Sequence, residues 1–125
     1  MPRYNTEFDP PAPIVGFTVY CPVDHKRAAN IQGELDSGAE VTVVPQGLVD
    51  TLHLVPRRMM VTQGYDGTRN QWPTYMIDLE VEGCAVYDVE AVALPRPDAV
   101  LGRDVLNHFI ITLNGKELIF EVVDP

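Results

Sequence analysis

The sequence predicts an all-β domain with one short helix near its C-terminal end, and three observations predict this class. The chain has 125 residues, a length that suits one domain. It contains 9 glycines and 11 prolines, which favour many short strands and turns over long helices. Hydrophobic residues make up 46 % of the chain and fall in short β-branched runs, so a core built from strands is expected.

The N-terminal region changes character near residue 14. Residues 1–13 contain several prolines and few large apolar groups, so they predict a flexible arm. Residues 14–21 are β-branched and aromatic and predict a first strand, and residues 28–35 return as a second strand after a turn. Residues 14–125 are therefore expected to form the folded domain.

The middle of the chain alternates apolar runs with turn formers. Further strands are predicted at four segments: 40–45, 58–62, 74–81 and 85–94. Pro45 stops the first of these, and residues 46–52 can form one or two helical turns. The glycine-bearing segment 63–70 predicts a long hairpin with a polar tip. A β-bulge is expected in 85–94, because its valines do not all share one face.

The C-terminal region predicts a helix followed by a hairpin. Residues 102–109 form the only good helix candidate, because their apolar side chains recur on one face. Residues 110–113 and 117–122 are apolar and flank Asn114 and Gly115. An Asn-Gly step between two apolar runs is the strongest short-range signal for a hairpin.

The charge and the absence of long apolar runs exclude several kinds of partner. The chain has 18 acidic and 9 basic residues and a formal net charge of −9, so it is expected to repel nucleic acids. No apolar run approaches the roughly 20 residues that a membrane helix needs. The N-terminal sequence lacks the pattern of a secretory signal. We therefore expect no nucleic-acid partner, no membrane partner and a cytoplasmic location.

The cysteines and histidines predict no metal or cofactor. Cys21 and Cys84 are the two cysteines; they lie far apart and belong to no CxxC pair, which fits a reducing cytoplasm. The three histidines have no metal-ligand spacing: His25, His53 and His108.

The sequence Asp36-Ser37-Gly38-Ala39 is the candidate for chemistry. It lies between two apolar segments, where a carboxylate is costly to bury unless it is hydrogen-bonded. Gly38 permits a close approach of the backbone, and its amide can donate to the carboxylate. Ser37 offers a hydroxyl that can bond within the turn. Turns recruit these same residues, so the four residues alone are more typical of an ordinary turn than of a catalytic site.

A second segment, Ala99-Val100-Leu101-Gly102-Arg103-Asp104, changes this interpretation. Together the two segments resemble the retropepsin-like aspartic peptidase family. Its members carry Asp-Thr/Ser-Gly-Ala and, further on, two aliphatic residues and a glycine, often followed by Arg and Asp or Asn. The resemblance covers roughly residues 14–122. It implies a half-barrel of the acid protease type, with the predicted hairpin at the place of the family's flap.

The resemblance also implies roles for residues of the first motif. Asp36 matches the catalytic aspartate, and Ser37 matches the residue whose hydroxyl interlocks two active-site loops. Gly38 and Ala39 complete the active-site loop. The family's commonest residue at the position of Ser37 is threonine, so the serine lacks a methyl group and the interlock is expected to be looser.

Structural support is implied for residues around both motifs. Arg103 matches the family's arginine that pairs with an acid, and Glu40 falls at the position of that acid. An ion pair between Glu40 and Arg103 is therefore expected to stabilise the catalytic turn. Leu101 and Gly102 match the aliphatic residue and the glycine of the second motif.

The flap implied by the resemblance spans residues 60–72. Its candidate mobile or substrate-contacting residues are Gly64, Tyr65, Asp66, Gly67 and Trp72. For Trp72, anchoring of the hairpin is an equally good interpretation. The tip is more polar than in viral enzymes, so their substrate preference cannot be transferred to this chain. In a second departure, the C-terminal hairpin extends beyond the point where those enzymes end.

One copy of the motif implies a homodimer. Peptide hydrolysis of this kind uses two carboxylates around one water, and the chain holds one Asp-Ser-Gly. The expected function is that of an aspartic endopeptidase whose second Asp36 comes from another copy, acting on a peptide or protein substrate without a cofactor.

Two alternatives remain open at this point. In the first, the same fold is a catalytically weak or inactive module for dimerisation or peptide binding. In the second, the chain is a small β-barrel binding domain in which Asp-Ser-Gly is only a turn. A cleavage assay on a peptide library discriminates the first, and a strictly monomeric state favours the second.

Overall fold

Strands dominate the fold. The computed structural model describes residues 2–63 and 66–124. These residues form nine strands and two short helices. In chain order the elements are β1 (Ile14–Cys21), β2 (Asp24–Leu35), β3 (Val43–Pro45), α1 (Gln46–Leu52), β4 (Arg58–Gln63), β5 (Arg69–Val81), β6 (Cys84–Leu94), β7 (Ala99–Leu101), α2 (Arg103–Leu106), β8 (Ile110–Asn114) and β9 (Ile119–Val123). The predicted all-β class is confirmed.

Seven of the strands form one curved sheet. Its order is β1-β2-β7-β3-β6-β5-β4, and β1 also pairs with β5. Because β1 pairs on both sides, the sheet turns back on itself, as expected for the half-barrel. Strand closure of this kind removes exposed edges. Most neighbours are antiparallel, but β2 pairs with β7 and β3 pairs with β6 in parallel.

The core lies on the inner face of this sheet. On β1 every second side chain is buried, as the period of a half-buried strand requires. The buried side chains on β1 and β5 include Phe17, Val19, Ile77 and Leu79. Full burial of one such aliphatic side chain contributes about 1.5–3 kcal/mol, so this face supplies much of the folding free energy.

The predicted bulge is present in β6. The pairing of β5 with β6 shifts between Ile77, which faces Val89, and Leu79, which faces Val86. Asp88 takes the left-handed backbone conformation there, with φ 58°. Its amide donates to Oδ1 of the buried Asp78 at 2.9 Å. The side chain of Asp78 thus accepts a hydrogen bond from the Asp88 amide, which does not pair with β5 at the bulge.

Two short helices lie where the sequence predicted them. The helical turns expected over residues 46–52 form α1. The short helix expected near the C-terminal end is also confirmed, but α2 spans only four residues of the predicted range 102–109. After α2 the amides of His108 and Phe109 bond to carbonyls three residues back, at Val105 and Leu106. The chain therefore tightens into turns and enters β8. Among the described residues, no helix is long and apolar enough to span a membrane.

Strands β8 and β9 form a separate two-stranded sheet. The predicted hairpin is present; Asn114 faces Ile119, so the turn holds the four residues 115–118. The Asn114 side chain accepts a hydrogen bond from the amide of Glu117 at 3.0 Å, and Leu118 has φ 56°. Ile110 and Leu113 on β8 are exposed. The hairpin therefore carries apolar side chains on its surface.

The N-terminal residues lie along β9. The amide of Phe120 donates to the carbonyl of Pro2 at 3.0 Å, and the amide of Tyr4 donates to the carbonyl of Leu118 at 2.8 Å. The rings of Tyr4 and Phe120 have centroids 6.1 Å apart. These contacts place the start of the predicted arm beside β9, on the side that does not pair with β8.

Candidate active site

The Asp36 loop, residues 36–42, connects β2 to β3. Asp36 follows the buried Leu35 directly and is half-buried. The amide of Gly38 donates to Asp36 Oδ1 at 2.8 Å, and the amide of Ala39 donates to the Asp36 carbonyl at 3.2 Å. A Cβ at position 38 would lie 3.1 Å from Asp36 Oδ1, so a glycine suits this turn. The loop therefore orients the carboxylate through its own backbone.

The second motif lies directly against this loop. The amide of Asp36 donates to the carbonyl of Leu101 at 3.1 Å, and the amide of Arg103 donates to the carbonyl of Ala39 at 2.8 Å. A Cβ on Gly102 would lie 2.6 Å from the carbonyl carbon of Val41, which leaves room only for glycine. The two segments that carried the resemblance are therefore packed together, backbone to backbone.

A buried threonine and an aspartate join the far end of the loop to α2. Thr42 is fully buried, and its hydroxyl donates to Asp104 Oδ1 at 2.8 Å while its amide donates to Oδ2 at 3.1 Å. The amide of Gly102 donates to the Thr42 hydroxyl at 3.2 Å. Sequence reasoning missed this pair. The available signal was one hydroxyl side chain inside an apolar run that predicts a buried strand.

The predicted ion pair between Glu40 and Arg103 is not formed. In residues 2–63 and 66–124, the ion pairs involve neither of these side chains, and Glu40 is exposed. Arg103 Nη1 instead donates to the carbonyl oxygen of Ser37 at 2.8 Å. The arginine therefore contacts the Asp36 loop through a backbone acceptor, because that carbonyl lies within reach and is not used by a strand ladder.

The β4–β5 hairpin carries the residues predicted for the flap. Gly64 and Tyr65 lie outside the described residues. Asp66 accepts a hydrogen bond from the amide of Thr68 at 2.9 Å, and hydrogen bonds from Thr68 hold the pKa of its carboxyl below the usual value. Gly67 has φ 84°, a conformation that favours glycine. Trp72, further down the hairpin, is half-buried and faces Met60 across the strand pair.

A charged cluster lies at the base of this hairpin. Arg58 on β4 donates to both carboxylate oxygens of Glu90 on β6, at 2.6 and 2.7 Å. The buried Thr74 hydroxyl on β5 donates to Glu90 Oε2 at 2.8 Å, and Arg57 Nη1 lies 3.4 Å from Oε1. The hydrogen bonds from Arg58, followed by that from Thr74, lower the pKa of Glu90 to about 2. Sequence reasoning missed this cluster, since its members are dispersed along the chain.

Within the described part of the chain, no group of three or more His, Cys, Asp or Glu side chains is arranged to hold a metal ion. His25 pairs with Asp78, with 2.7 Å between Nε2 and Oδ2. The polar groups around Asp36 are instead backbone amides and carbonyls, the Arg103 guanidinium and the Thr42–Asp104 pair.

A family model matches the region of the chain that contains the Asp36 loop. Residues 27–108, about two thirds of the chain, match the family model described as "gag-polyprotein putative aspartyl protease". The chain belongs to this aspartyl protease family. The matched region contains the Asp36 loop, the β4–β5 hairpin and α2. No match was found among the curated proteins.

Solved structures of retropepsin-like proteases share the fold of this family member. The solution structure of the Simian Foamy Virus (mac) protease is 20 % identical and aligns with a TM-score of 0.58 over 76 % of this chain and 92 % of that one. The EIAV protease complexed with the inhibitor HBY-793 is 20 % identical, with a TM-score of 0.58 over 83 % and 90 % of the two chains. A retropepsin-like aspartic protease from Rickettsia conorii is 14 % identical, with a TM-score of 0.60 over 89 % and 90 %. The retropepsin-like all-β fold is thereby confirmed.

Proposed function

We propose that this protein is an aspartic endopeptidase that acts as a homodimer, with Asp36 of each copy providing one of two catalytic carboxylates. The observation that carries the proposal is the oriented Asp36 side chain. It directly follows the buried Leu35, accepts a hydrogen bond from the Gly38 amide at 2.8 Å, and belongs to a loop whose backbone is hydrogen-bonded to Leu101 and Arg103. Preorganisation of this kind is what catalysis by a positioned acid requires.

The reaction needs two acids that carry one proton between them. Two carboxylates a few ångströms apart cannot both ionise easily, so the pair keeps one proton. The ionised Asp36 takes a proton from a water molecule as the water oxygen bonds to the peptide carbonyl carbon. The protonated Asp36 of the other copy donates to the carbonyl oxygen. The first Asp36 then passes the proton it took from the water to the amide nitrogen, and the C–N bond breaks. The second Asp36 takes back a proton from a hydroxyl of the intermediate, which leaves a carboxylic acid product and restores the shared proton.

The second copy is supported by the single Asp-Ser-Gly and by the surface of the C-terminal hairpin. Ile110 is 57 % exposed and Leu113 is 51 % exposed, although both lie in a strand. Exposed apolar side chains on an edge strand favour pairing with another chain. An antiparallel pairing of two β8 strands satisfies a two-fold axis, as most homodimers require. We also propose that Ser37 interlocks the two Asp36 loops of this dimer.

The substrate is proposed to be an extended peptide between the Asp36 loop and the β4–β5 hairpin, which acts as the flap. Extended peptides bind by main-chain hydrogen bonds to strand edges and by alternate side-chain contacts. Among the described residues of the hairpin, Asp66, Gly67 and Trp72 are proposed to contact it. Gly64 and Tyr65, which the sequence predicts for the same role, lie outside the described residues. The two free thiols, Cys21 and Cys84, support a reducing compartment such as the cytoplasm.

The test is the substitution Asp36→Asn, assayed with a peptide library and a pepstatin-type inhibitor. We expect loss of cleavage with no loss of fold, because the amide keeps the shape of the carboxylate and cannot accept the water proton. Asp50→Asn, at an exposed position of α1, is the matched control and should cut at the wild-type rate. Cleavage at the wild-type rate by the Asp36→Asn variant would rule the proposal out.

Mixing the two chains tests the dyad separately. If each active site uses one Asp36 from each copy, excess Asp36→Asn chain should trap wild-type chains in inactive heterodimers. Activity should then fall faster than simple dilution predicts. A protein that binds peptides as a dimer but cuts none of them would instead be the inactive binding module.

A further inference from the structure

We propose that Arg58, Thr74 and Glu90 form a hinge clamp that limits how far the β4–β5 hairpin opens over the Asp36 loop. The three are positioning residues for the reaction, since none of them belongs to the loop that carries Asp36. The inference rests on the proposed peptidase function. It assigns control of the flap to a specific contact at its base.

The hairpin leaves the main sheet at these residues. The pairing of β5 with β6 ends at Thr74, which faces Val92. Beyond that point, residues 69–73 of β5 pair with β4, from Pro73 facing Met59 to Arg69 facing Gln63. A two-stranded ribbon that projects from a wider sheet bends where the third strand ends, because fewer backbone hydrogen bonds resist the motion there. The bending point therefore falls at Thr74 and its partner Arg58.

The clamp links three neighbouring strands across that bending point. The Arg58 guanidinium on β4 forms bidentate hydrogen bonds with the Glu90 carboxylate on β6, at 2.6 and 2.7 Å. Thr74 on β5, between them, donates to the same carboxylate at 2.8 Å. A planar guanidinium fixes the direction of a carboxylate as well as its distance. Rotation of the hairpin at Thr74 would break both hydrogen bonds of this bidentate pair together.

Burial makes this pair more effective than an ordinary surface ion pair. The Glu90 side chain is 17 % exposed, and Thr74 is fully buried. Exposed pairs contribute little because water competes for both partners. Here the carboxylate is mostly shielded from water and accepts three hydrogen bonds. Loss of one donor therefore leaves a charged oxygen that water cannot fully solvate, which is costly.

The clamp also adjoins the Asp36 loop. Arg58 and Glu90 line a cavity of about 280 Å³ together with Met60 of β4 and Val41 of the loop. Asp104, which bonds to Thr42, lines the same cavity. Opening of the hairpin at its base would therefore change the space beside the catalytic loop. Movement at the hinge can therefore affect the Asp36 loop through this shared cavity.

The clamp persists under acidic conditions. The pKa of Glu90 is lowered to about 2, mainly by Arg58 and then by Thr74. The carboxylate therefore stays ionised in the mildly acidic range, where a dyad that shares one proton is expected to work.

The experiment compares Glu90→Gln with Glu80→Gln in the full chain. Both substitutions remove one negative charge, but Glu80 is an exposed residue of β5. Hydrogen exchange is measured in the hairpin ribbon, residues 59–63 and 69–73, and in the core strands β1 and β2. We expect Glu90→Gln to speed exchange about tenfold in the ribbon and little in the core. Glu80→Gln should change neither.

Steady-state kinetics provide the second readout. The more open hairpin of Glu90→Gln should raise KM about fivefold while kcat falls less than twofold, because binding is affected more than chemistry. Arg58→Lys keeps the charge but loses the two-pronged geometry, so its KM should lie between those of wild type and Glu90→Gln. The double variant Arg58→Lys, Glu90→Gln should resemble Glu90→Gln alone, since the contact is already lost.

Two results would overturn the clamp: unchanged exchange in the ribbon, or equal acceleration in the ribbon and in β1 and β2. Equal acceleration would indicate general destabilisation. The exchange experiment needs no activity. A wild-type protein that cuts no peptide would therefore count against the proposed function. The exchange rates would still show whether Glu90 limits opening of the hairpin.

Discussion

The hydroxyl of Thr42 donates to the carboxylate of Asp104 at 2.8 Å, and Thr42 is fully buried. The contact joins the end of the Asp36 loop to α2, and the Thr42 amide donates to the same carboxylate at 3.1 Å. Buried polar groups of this kind are costly when one partner is removed. The end of the Asp36 loop is therefore held by the Thr42–Asp104 contact, while its start is held by backbone hydrogen bonds and by the Arg103 side chain.

Thr42→Val tests this contact. Valine keeps the shape of threonine but removes the donor, so Asp104 loses a hydrogen bond and the Gly102 amide loses its acceptor. We expect the free energy of unfolding to fall by about 1–3 kcal/mol, measured by urea denaturation. Thr6→Val, at an exposed turn residue, is the control and should change stability by less than about 0.5 kcal/mol. Equal stability of the two variants would contradict the assignment.

Gly102→Ala tests the close contact between the two motifs. The added Cβ would lie 2.6 Å from the carbonyl carbon of Val41, so the loop or β7 must move. We expect a loss of more than about 2 kcal/mol of unfolding free energy, and a loss of activity. Gly47→Ala, in α1, meets no atom within 4 Å and should be neutral or slightly stabilising. A Gly102→Ala protein as stable as Gly47→Ala would show that the motifs are not packed in this way.

Arg103 and Glu40 are predicted to differ in their effects on activity. Arg103→Gln removes the Nη1 bond to the Ser37 carbonyl and should lower kcat about tenfold, because the turn that carries Asp36 loses an external contact. Glu40→Gln should leave kcat within about twofold, since its side chain forms no ion pair with Arg103. Parallel kinetics on one peptide substrate check both. Equal losses would favour the ion pair that the resemblance implied.

The pH dependence of stability is expected to carry the signature of Glu90. Its pKa is lowered from 4.5 to about 2 in the folded protein, so ionised Glu90 stabilises the fold above about pH 4.5. That contribution declines as the pH falls below 4.5 and is lost once it passes through about 2. Urea denaturation of wild type and Glu90→Gln should show a constant difference from pH 7 to 5 and a narrowing one below pH 4.5. A difference that grows towards pH 2 would have the wrong sign.

The proposed dimer surface is tested by Leu113→Lys. Leu113 on β8 is 51 % exposed, and a lysine there places like charges against each other across a two-fold axis. Sedimentation should show monomers, and cleavage should be lost while the fold remains. Val23→Lys is the matched control, because Val23 is 86 % exposed and lies in the β1–β2 turn. A Leu113→Lys protein that stays dimeric would place the interface elsewhere.

Local patterns predicted most of the strands, and the misses have physical causes. The runs at β1, β5 and β6 were found because β-branched residues repeat there at short range. Helix α2 is shorter than predicted, because apolar periodicity does not record where the chain must turn into β8. The C-terminal hairpin was found, but the four-residue turn after Asn114 depends on a side-chain bond to Glu117.

The sequence by itself determined the strand-rich class and the acid at the centre of the proposal, because Asp36 and its neighbours form a contiguous motif. Only the tertiary structure decided what holds that acid in place. Arg103 bonds to the Ser37 carbonyl instead of Glu40, and Thr42 bonds to Asp104. These contacts join residues that are distant along the chain, so they depend on strand order and register, which no local pattern contains.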